Sequence, residues 1–323
     1  MTTDLDQAAA AIEAAASVAL ACHVSPDGDA LGSMLALHHL CRAHGKPSIA
    51  SFSEPFLVAP HYAYLPGLDL MTKPLDFPEA PELMITFDCG SAQRLGDLAV
   101  AAGRAAQLLV IDHHASNQHF GSINLVDPDA AATAVLVRRL AGRLGWSLNR
   151  DTAICLYTGL VTDTGRFQYA NTSTEVFALA EELAGFDLPI AEVSRHLFEE
   201  HRFAYLQLVA ACLGRAELDR GLRFVATWVT EADLTHHDVT LDETEGLIDL
   251  VRRTAEAEVS CVLKEAPDGV RVSLRAISEV DVGAIATSFG GGGHRFAAGF
   301  TSTSSIADTL AAIRQAVRQA TGA

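Results

Sequence analysis

Three times in its first half the chain runs through a short apolar segment and stops abruptly on acid or histidine. Val18–Val24 leads into Ser25-Pro26-Asp27-Gly28-Asp29, Leu83–Asp88 into Cys89-Gly90-Ser91, and Gln107–Ile111 into Asp112-His113-His114. Apolar runs of this length, rich in branched residues, read as strands buried on both faces. Between and after them Ala30–Ala43, Ala130–Leu144 and Asp151–Val161 have helical spacing. Buried strands alternating with helices predict an α/β fold whose mainly parallel sheet is flanked by helices. Sheets of that kind collect ligands at the carboxyl ends of their strands, where all three polar stops fall. A fourth cluster, Val161-Thr162-Asp163-Thr164-Gly165, closes a helical pattern.

Each cluster has an ordinary explanation of its own. Asp27-Gly28 suits a turn before a capped helix, Asp88 suits an N-cap, and His114 suits a hydrogen-bonded structural histidine. Pro26 cannot sit within a helical turn joining His23 to Asp27, so that segment reads as a loop leaving a strand. Taken together the four clusters supply carboxylates and imidazoles without a thiolate, since the six cysteines are scattered and form no CxxC pair. Such a donor set suits Mn²⁺ or Mg²⁺ better than structural zinc. It suffices for two ions sharing a carboxylate, the arrangement of two-metal hydrolases.

At 323 residues the chain exceeds one ordinary core, and two domains are expected. We read residues 1–188 as the catalytic domain. Residues 189–214 read as one long helical connector, Pro189–Gly214, and 215–323 as a smaller α/β domain. The last has strands at Leu222–Val229, Glu258–Lys264 and Val270–Ala276, and helices at Thr244–Arg253, Asp281–Phe289 and Ser305–Gln319. The formal charge of −17 repels long nucleic-acid backbones, so the expected partners are small and carry few phosphates. No stretch is apolar enough to span a bilayer, and the acidic opening lacks a basic signal region. A cytoplasmic protein without a membrane partner is the expectation.

HVSPDGDALGS, FDCGS, Asp112-His113-His114 and VTDTG, in that order, resemble the motifs of the DHH family of phosphoesterases. Gly290-Gly291-Gly292-Gly293-His294 resembles the glycine-rich GGGH motif of the DHHA1 domain that the short members carry. The resemblance implies a dinuclear manganese centre, two Mn²⁺ ions with Mg²⁺ as the alternative. It implies His23, Asp27 and Asp88 around one ion, and Asp29, Asp88, His113 and Asp163 around the other. Asp112 would orient a histidine, and His114 would face the substrate and protonate the leaving group. Arg275, Gly291, Gly292, Gly293 and His294 would bind substrate, and Arg94 occupies a family-like position without a distinct role.

Two departures bear on substrate preference: Ala134-Val135 after Thr133, where relatives are often more polar, and Ala276-Ile277 after Arg275. Chain length and the absence of membrane spans point to the compact oligoribonuclease and pAp-phosphatase type. The implied substrates are short single-stranded RNA, linear dinucleotides such as pApA, and 3′-phosphoadenosine 5′-phosphate (pAp), with long duplexes excluded. The expected second domain would close over the nucleotide about the connector. An inorganic pyrophosphatase or polyphosphatase, and a non-catalytic nucleotide or RNA sensor, are the alternatives. Homodimers are common among relatives, and no segment here specifies one.

Overall fold

A computed structural model describes residues 2–322, which separate into two units between Glu200 and His201. The first unit runs α1 (Thr2–Ala14), β1 (Val18–Cys22), α2 (Gly28–Ala43), β2 (Ser48–Ser51), β3 (Leu83–Phe87) and α3 (Ala99–Arg104). It continues through β4 (Gln107–Asp112), β5 (Ile123–Val126), α4 (Thr133–Arg143), α5 (Arg150–Asp163), α6 (Thr174–Ala184) and α7 (Ile190–Phe198). Its five strands are all parallel, in the order β2-β1-β3-β4-β5. The chain leaves β1 for one side of it and returns through β3 on the other, so the order reverses at the β1–β3 crevice.

Why the expected strands form is plain from burial. Every residue of β1 and β3 is buried. Val18, Leu20, Leu83, Ile85, Leu109 and Ile111 face a core shared with α1, α2, α4 and α5. The alternate residues Ala19, Ala21, Met84 and Val110 face a second core with Leu98, Ala101 and Ala102. A strand covered on both sides needs an unbroken apolar run, which is the pattern the sequence carries.

Close approach of α2 to α5 brings their acidic ends together. A Cβ on Gly32 would lie 2.4 Å from the Cys155 carbonyl oxygen, and one on Gly159 would lie 2.5 Å from Asp29 Oδ1. Any larger residue at either position would force the helices apart.

The second unit runs α8 (Phe203–Gly214), β6 (Glu217–Asp219), β7 (Phe224–Val229), α9 (Glu231–His237), α10 (Leu247–Val251) and β8 (Val259–Ala266). β9 (Gly269–Ala276), α11 (Val282–Ser288), β10 (Gly292–His294), β11 (Ala297–Ser302) and α12 (Ile306–Thr321) complete it. Its mixed sheet has the order β10-β11-β9-β8-β7-β6. One face packs on α11 and α12, the other on α8 and α10.

One expectation needs correction. The connector is two helices, not one. Val193 of α7 is buried in the first unit's core, while Tyr205, Leu208 and Cys212 of α8 are buried in the second unit. The break falls on Glu199-Glu200-His201-Arg202, which offers no apolar residue to continue either stripe. The glycine run forms part of the sheet, Gly292–His294 pairing with Ala297–Gly299 as an edge strand.

Candidate metal centre

β1, β3 and β4 deliver their polar stops to one place. Asp27 caps α2, its Oδ1 accepting from the backbone N–H groups of Asp29 (3.1 Å) and Ala30 (3.0 Å). Its other oxygen, Oδ2, lies 3.7 Å from His23 Nε2. The capping and site readings of Asp27 are therefore both realised, one on each oxygen.

Asp88 is different from the N-cap its sequence position suggested. It leaves β3 in the left-handed region (φ 57°), where a non-glycine residue is uncommon and calls for a compensating role. Its Oδ2 is 3.6 Å from His23 Nε2, and its Oδ1 is 3.5 Å from His113 Nε2. One carboxylate thus offers an oxygen to each of two groups. The first is His23, Asp27 and Asp88, the second Asp29, Asp88 and His113, and within each group the candidate donor atoms lie within 4.8 Å of one another. Asp163, the last residue of α5, joins the second through a 3.0 Å approach of Oδ2 to His113 Nε2.

Backbone carbonyls set the histidine tautomers. His23 Nδ1 is 2.8 Å from the Val24 carbonyl oxygen, and His113 Nδ1 is 3.1 Å from that of Ala130. A carbonyl only accepts, so each Nδ1 donates, and in a neutral ring Nε2 is left as a lone pair. Both lone pairs then face carboxylate oxygens. Acceptor facing acceptor is favourable only with a proton or a cation between them, and this donor set fits divalent cations.

Protonation states without a cation reflect the same crowding. Burial opposes charge on His23, but Asp27 and Asp88 beside it raise its pKa to about 9. Burial and the carboxylates of Asp163 and Asp88 push Asp29 well above the usual range. Burial likewise raises Asp163, with His113 opposing. Asp88 is held far below the carboxylate range in spite of its burial, because His114, His23 and His113 surround it.

The floor of the site is made of fully buried groups. Asp29 Oδ2 accepts from the Thr133 N–H (2.6 Å), and its Oδ1 from the Ala134 N–H (3.0 Å) and the Ser33 hydroxyl (3.1 Å). Asp29 therefore caps α4, whose own N-cap, Ala132, has no side chain to do so. The Thr133 hydroxyl donates to Asp88 Oδ1 at 2.9 Å. Thr133, Ser33 and the Ala130 carbonyl were missed as site groups in the sequence. Only its standing as the one polar residue in the apolar run Ala130–Val137 could have signalled Thr133. Ala134 and Val135 are core residues, so their apolar character reflects packing.

Asp112 is occupied by its neighbours. Its Oδ1 accepts from His114 Nδ1 (2.7 Å) and the His113 N–H (2.8 Å), and its Oδ2 from Asn117 Nδ2. His114, 22% exposed, stands on the rim with Nδ1 3.5 Å from Asp88 Oδ1. Arg94 is exposed on the short 3₁₀ helix Ala92–Leu98 that follows Asp88.

In the second unit the register places His294 opposite Ala297, and Ala297 opposite Arg275. Directly paired residues share a face of the sheet, so His294 and Arg275 lie on one side, two strands apart. Arg275 Nη1 donates to the Leu274 carbonyl, while its buried Nε has no partner among the described residues. The glycines divide by role. A Cβ on Gly291 would lie 2.2 Å from the Gly299 carbonyl oxygen, and one on Gly293 (φ 137°) would lie 2.5 Å from that of Ala297. A Cβ on Gly292 would meet open space.

A cavity of about 700 Å³ opens at the opposite, amino end of β1 and β2, lined in part by Arg42, Lys46, Pro47 and Ser48. Its Lys46 ammonium donates to the carbonyls of Glu13 and Ala15. It lacks the convergent carboxylates and imidazoles of the β1–β3 crevice, so chemistry identifies the latter.

Comparison with known proteins agrees with this division. Residues 17–160 match the model of the DHH family, N-terminal domain, and residues 221–322 that of the DHHA1 domain. A bifunctional oligoribonuclease and PAP phosphatase NrnA from Thermus thermophilus is 32% identical over 282 residues, covering 87% of this chain and 83% of that protein. The protein of the same name from Bacillus subtilis is 26% identical over 86% of each chain. Among solved structures, an exopolyphosphatase-related protein from Bacteroides fragilis superposes with a TM-score of 0.88 at 23% identity. That superposition covers 99% of this chain and 96% of the other, and at such identity it speaks for the fold alone.

Proposed function

The chain belongs to the DHH family of phosphoesterases and carries a DHHA1 domain, and from that premise we propose that it hydrolyses phosphoesters of short oligoribonucleotides, linear dinucleotides of the pApA type and pAp. The observation that carries this reading is Asp88, one carboxylate with an oxygen turned toward each of two histidine–carboxylate groups. The family is metal-dependent, and we propose Mn²⁺ as the metal, with Mg²⁺ as its substitute. A pair of such cations supplies Lewis-acid polarisation of a phosphoryl oxygen and a nucleophile at neutral pH.

The chain's own residues then have distinct tasks. His23, Asp27 and Asp88 would hold one ion, and Asp29, Asp88, His113 and Asp163 the other. Thr133, Ser33 and the start of α4 keep Asp29 and Asp88 in place through the bonds described above. Asp112 fixes the His114 ring through Nδ1 and, together with Asp88, favours its protonated form, and that form would carry on Nε2 the proton given to a leaving oxygen. Arg275 and His294 would contact phosphate, and Gly292 would let a nucleotide approach the backbone of β10. The relatives named oligoribonuclease and PAP phosphatase support this choice of substrate.

The six cysteines are all buried and unpaired, which suits a reducing compartment, and we place the protein in the cytoplasm. Among the described residues no helix is long and apolar enough to cross a membrane.

Turnover of pAp, pApA, a 5-mer and a 24-mer RNA, and pyrophosphate, each in Mn²⁺ with and without EDTA, tests the proposal. EDTA-sensitive turnover of the small nucleotides with the 24-mer spared is the expected result. Pyrophosphate cleavage alone, or RNA binding without turnover, overturns it.

A further inference from the structure

Immediately after Asp163 the backbone does something unusual. Gly165, Arg166 and Phe167 all have positive φ (54°, 63° and 61°). One such residue at a helix end is ordinary, but an arginine and an aromatic residue in succession are not. The surroundings compel the turn. Arg166 N–H donates to the Val161 carbonyl at 2.9 Å, and Phe167 N–H to the buried Thr164 hydroxyl at 3.2 Å. The Phe167 ring stacks on Phe177 with a centroid distance of 5.7 Å. At position 165 any Cβ would lie 2.2 Å from the Tyr169 ring.

This turn carries a cation three residues beyond Asp163. The Arg166 guanidinium sits over the Phe198 ring, 4.7 Å from its centroid. In the same unit Arg138, Arg139, Arg143 and Arg195 each pair with a carboxylate. Arg166 makes no such pair among the described residues, although Asp163 is three positions away and the chain is strongly acidic. Stacking fixes the plane of a guanidinium and leaves its N–H edge to an anion. Strain retained beside a site, and holding an unneutralised cation, points to a role in binding.

We infer that Arg166 binds a phosphate of the substrate other than the one cleaved. The cleaved ester must face the carboxylates around Asp88, whereas Arg166 is held aside from them on Phe198. A 5′-phosphate, present in pAp and pApA and absent from ApA, is the group of the right chemistry. This inference rests on the nucleotide-hydrolase reading above.

The test is selectivity, taken as the ratio of kcat/KM for pApA to that for ApA, with pAp as a third substrate. Loss of a charge-assisted contact in Arg166→Gln should lower the ratio about tenfold, mainly through KM for the phosphate-bearing substrates. Arg166→Lys, which keeps charge but not the fork, should fall between, and Phe198→Leu should shift the ratio in the same direction by less. The last two variants carry the test if Arg166→Gln folds poorly. An unchanged ratio across the series, or an equal loss on ApA, overturns the inference. An inactive wild-type enzyme would instead overturn the functional reading on which it rests.

Discussion

The two units present functional groups in opposite ways. The first drives charge inward: Asp29, Asp88, Asp112 and His113 are nearly or fully buried and hydrogen-bonded, Asp29 and Asp88 by Thr133, Asp112 by the His113 N–H, and His113 to the Ala130 carbonyl. The second lays its candidate groups out in a row across the sheet, from Arg275 on β9 to His294 on the edge strand β10, which also carries the unobstructed Gly292. Buried charges tolerate little displacement, because each depends on its partners to offset desolvation. A row on a sheet edge keeps its place through backbone pairing and depends less on any one side chain. The difference predicts that changes in the first unit abolish chemistry, while those in the second weaken binding.

Asp88→Asn should sharpen the contrast most. It removes the carboxylate common to both groups, and turnover of pApA in Mn²⁺ should fall beyond the ten- to about hundredfold that loss of a supporting hydrogen bond costs. Activity within a few-fold of wild type would break the comparison at its centre. Thr133→Val, which keeps shape but removes the donor to Asp88, should lower manganese affinity or turnover by about ten- to hundredfold. A manganese titration of activity separates those two outcomes.

In the second unit the glycines supply an internal contrast. Gly293→Ala places a Cβ against the Ala297 carbonyl at a strongly positive φ, and should cost roughly 1–3 kcal/mol of stability. Gly292→Ala meets open space and should leave the melting temperature unchanged while raising KM for pApA. Melting curves and Michaelis parameters of the pair check this. Equal destabilisation by both would mean that Gly292 is also there for packing.

The smallest effect concerns acid. Arg215 grips Asp233 with two bonds of 2.8 and 2.7 Å, and Thr230 adds two more. The Arg215 guanidinium, with Thr230, holds the Asp233 carboxyl well below the usual range. A depressed folded-state pKa contributes stability that is present above the unfolded value of about 4 and lost as pH falls toward the folded one. Asp233→Asn should therefore melt slightly below wild type at pH 7, and the gap should begin to narrow as pH drops below about 4. Paired thermal melts from pH 7 to pH 3 measure it. A gap that does not begin to narrow by pH 3 would show that the side chain's shape, not its charge, matters.

Much of this molecule was legible before any coordinates. Unbroken apolar runs at 18–24, 83–88 and 107–111 demanded strands covered on both sides, and their acidic and histidine endings located the site. The strands Glu258–Lys264 and Val270–Ala276 were legible for a similar local reason, since their apolar residues are confined to short runs. The connector was not, because the charged run at 199–202 is short enough to ride on one exposed helix, and only separate cores decide that the helix breaks there.

Residue type and order along the chain thus determined the α/β class, the strand ends that matter and the carboxylates and imidazoles on them, since these follow from local periodicity and donor chemistry. Tertiary structure alone decided that Asp88 turns one oxygen to each histidine, that Asp29 caps a helix more than a hundred residues away, that Gly291 and Gly293 serve packing while Gly292 stands open, and that Arg166 lies on Phe198. Each of those facts depends on distances between segments remote in sequence, which no local pattern encodes.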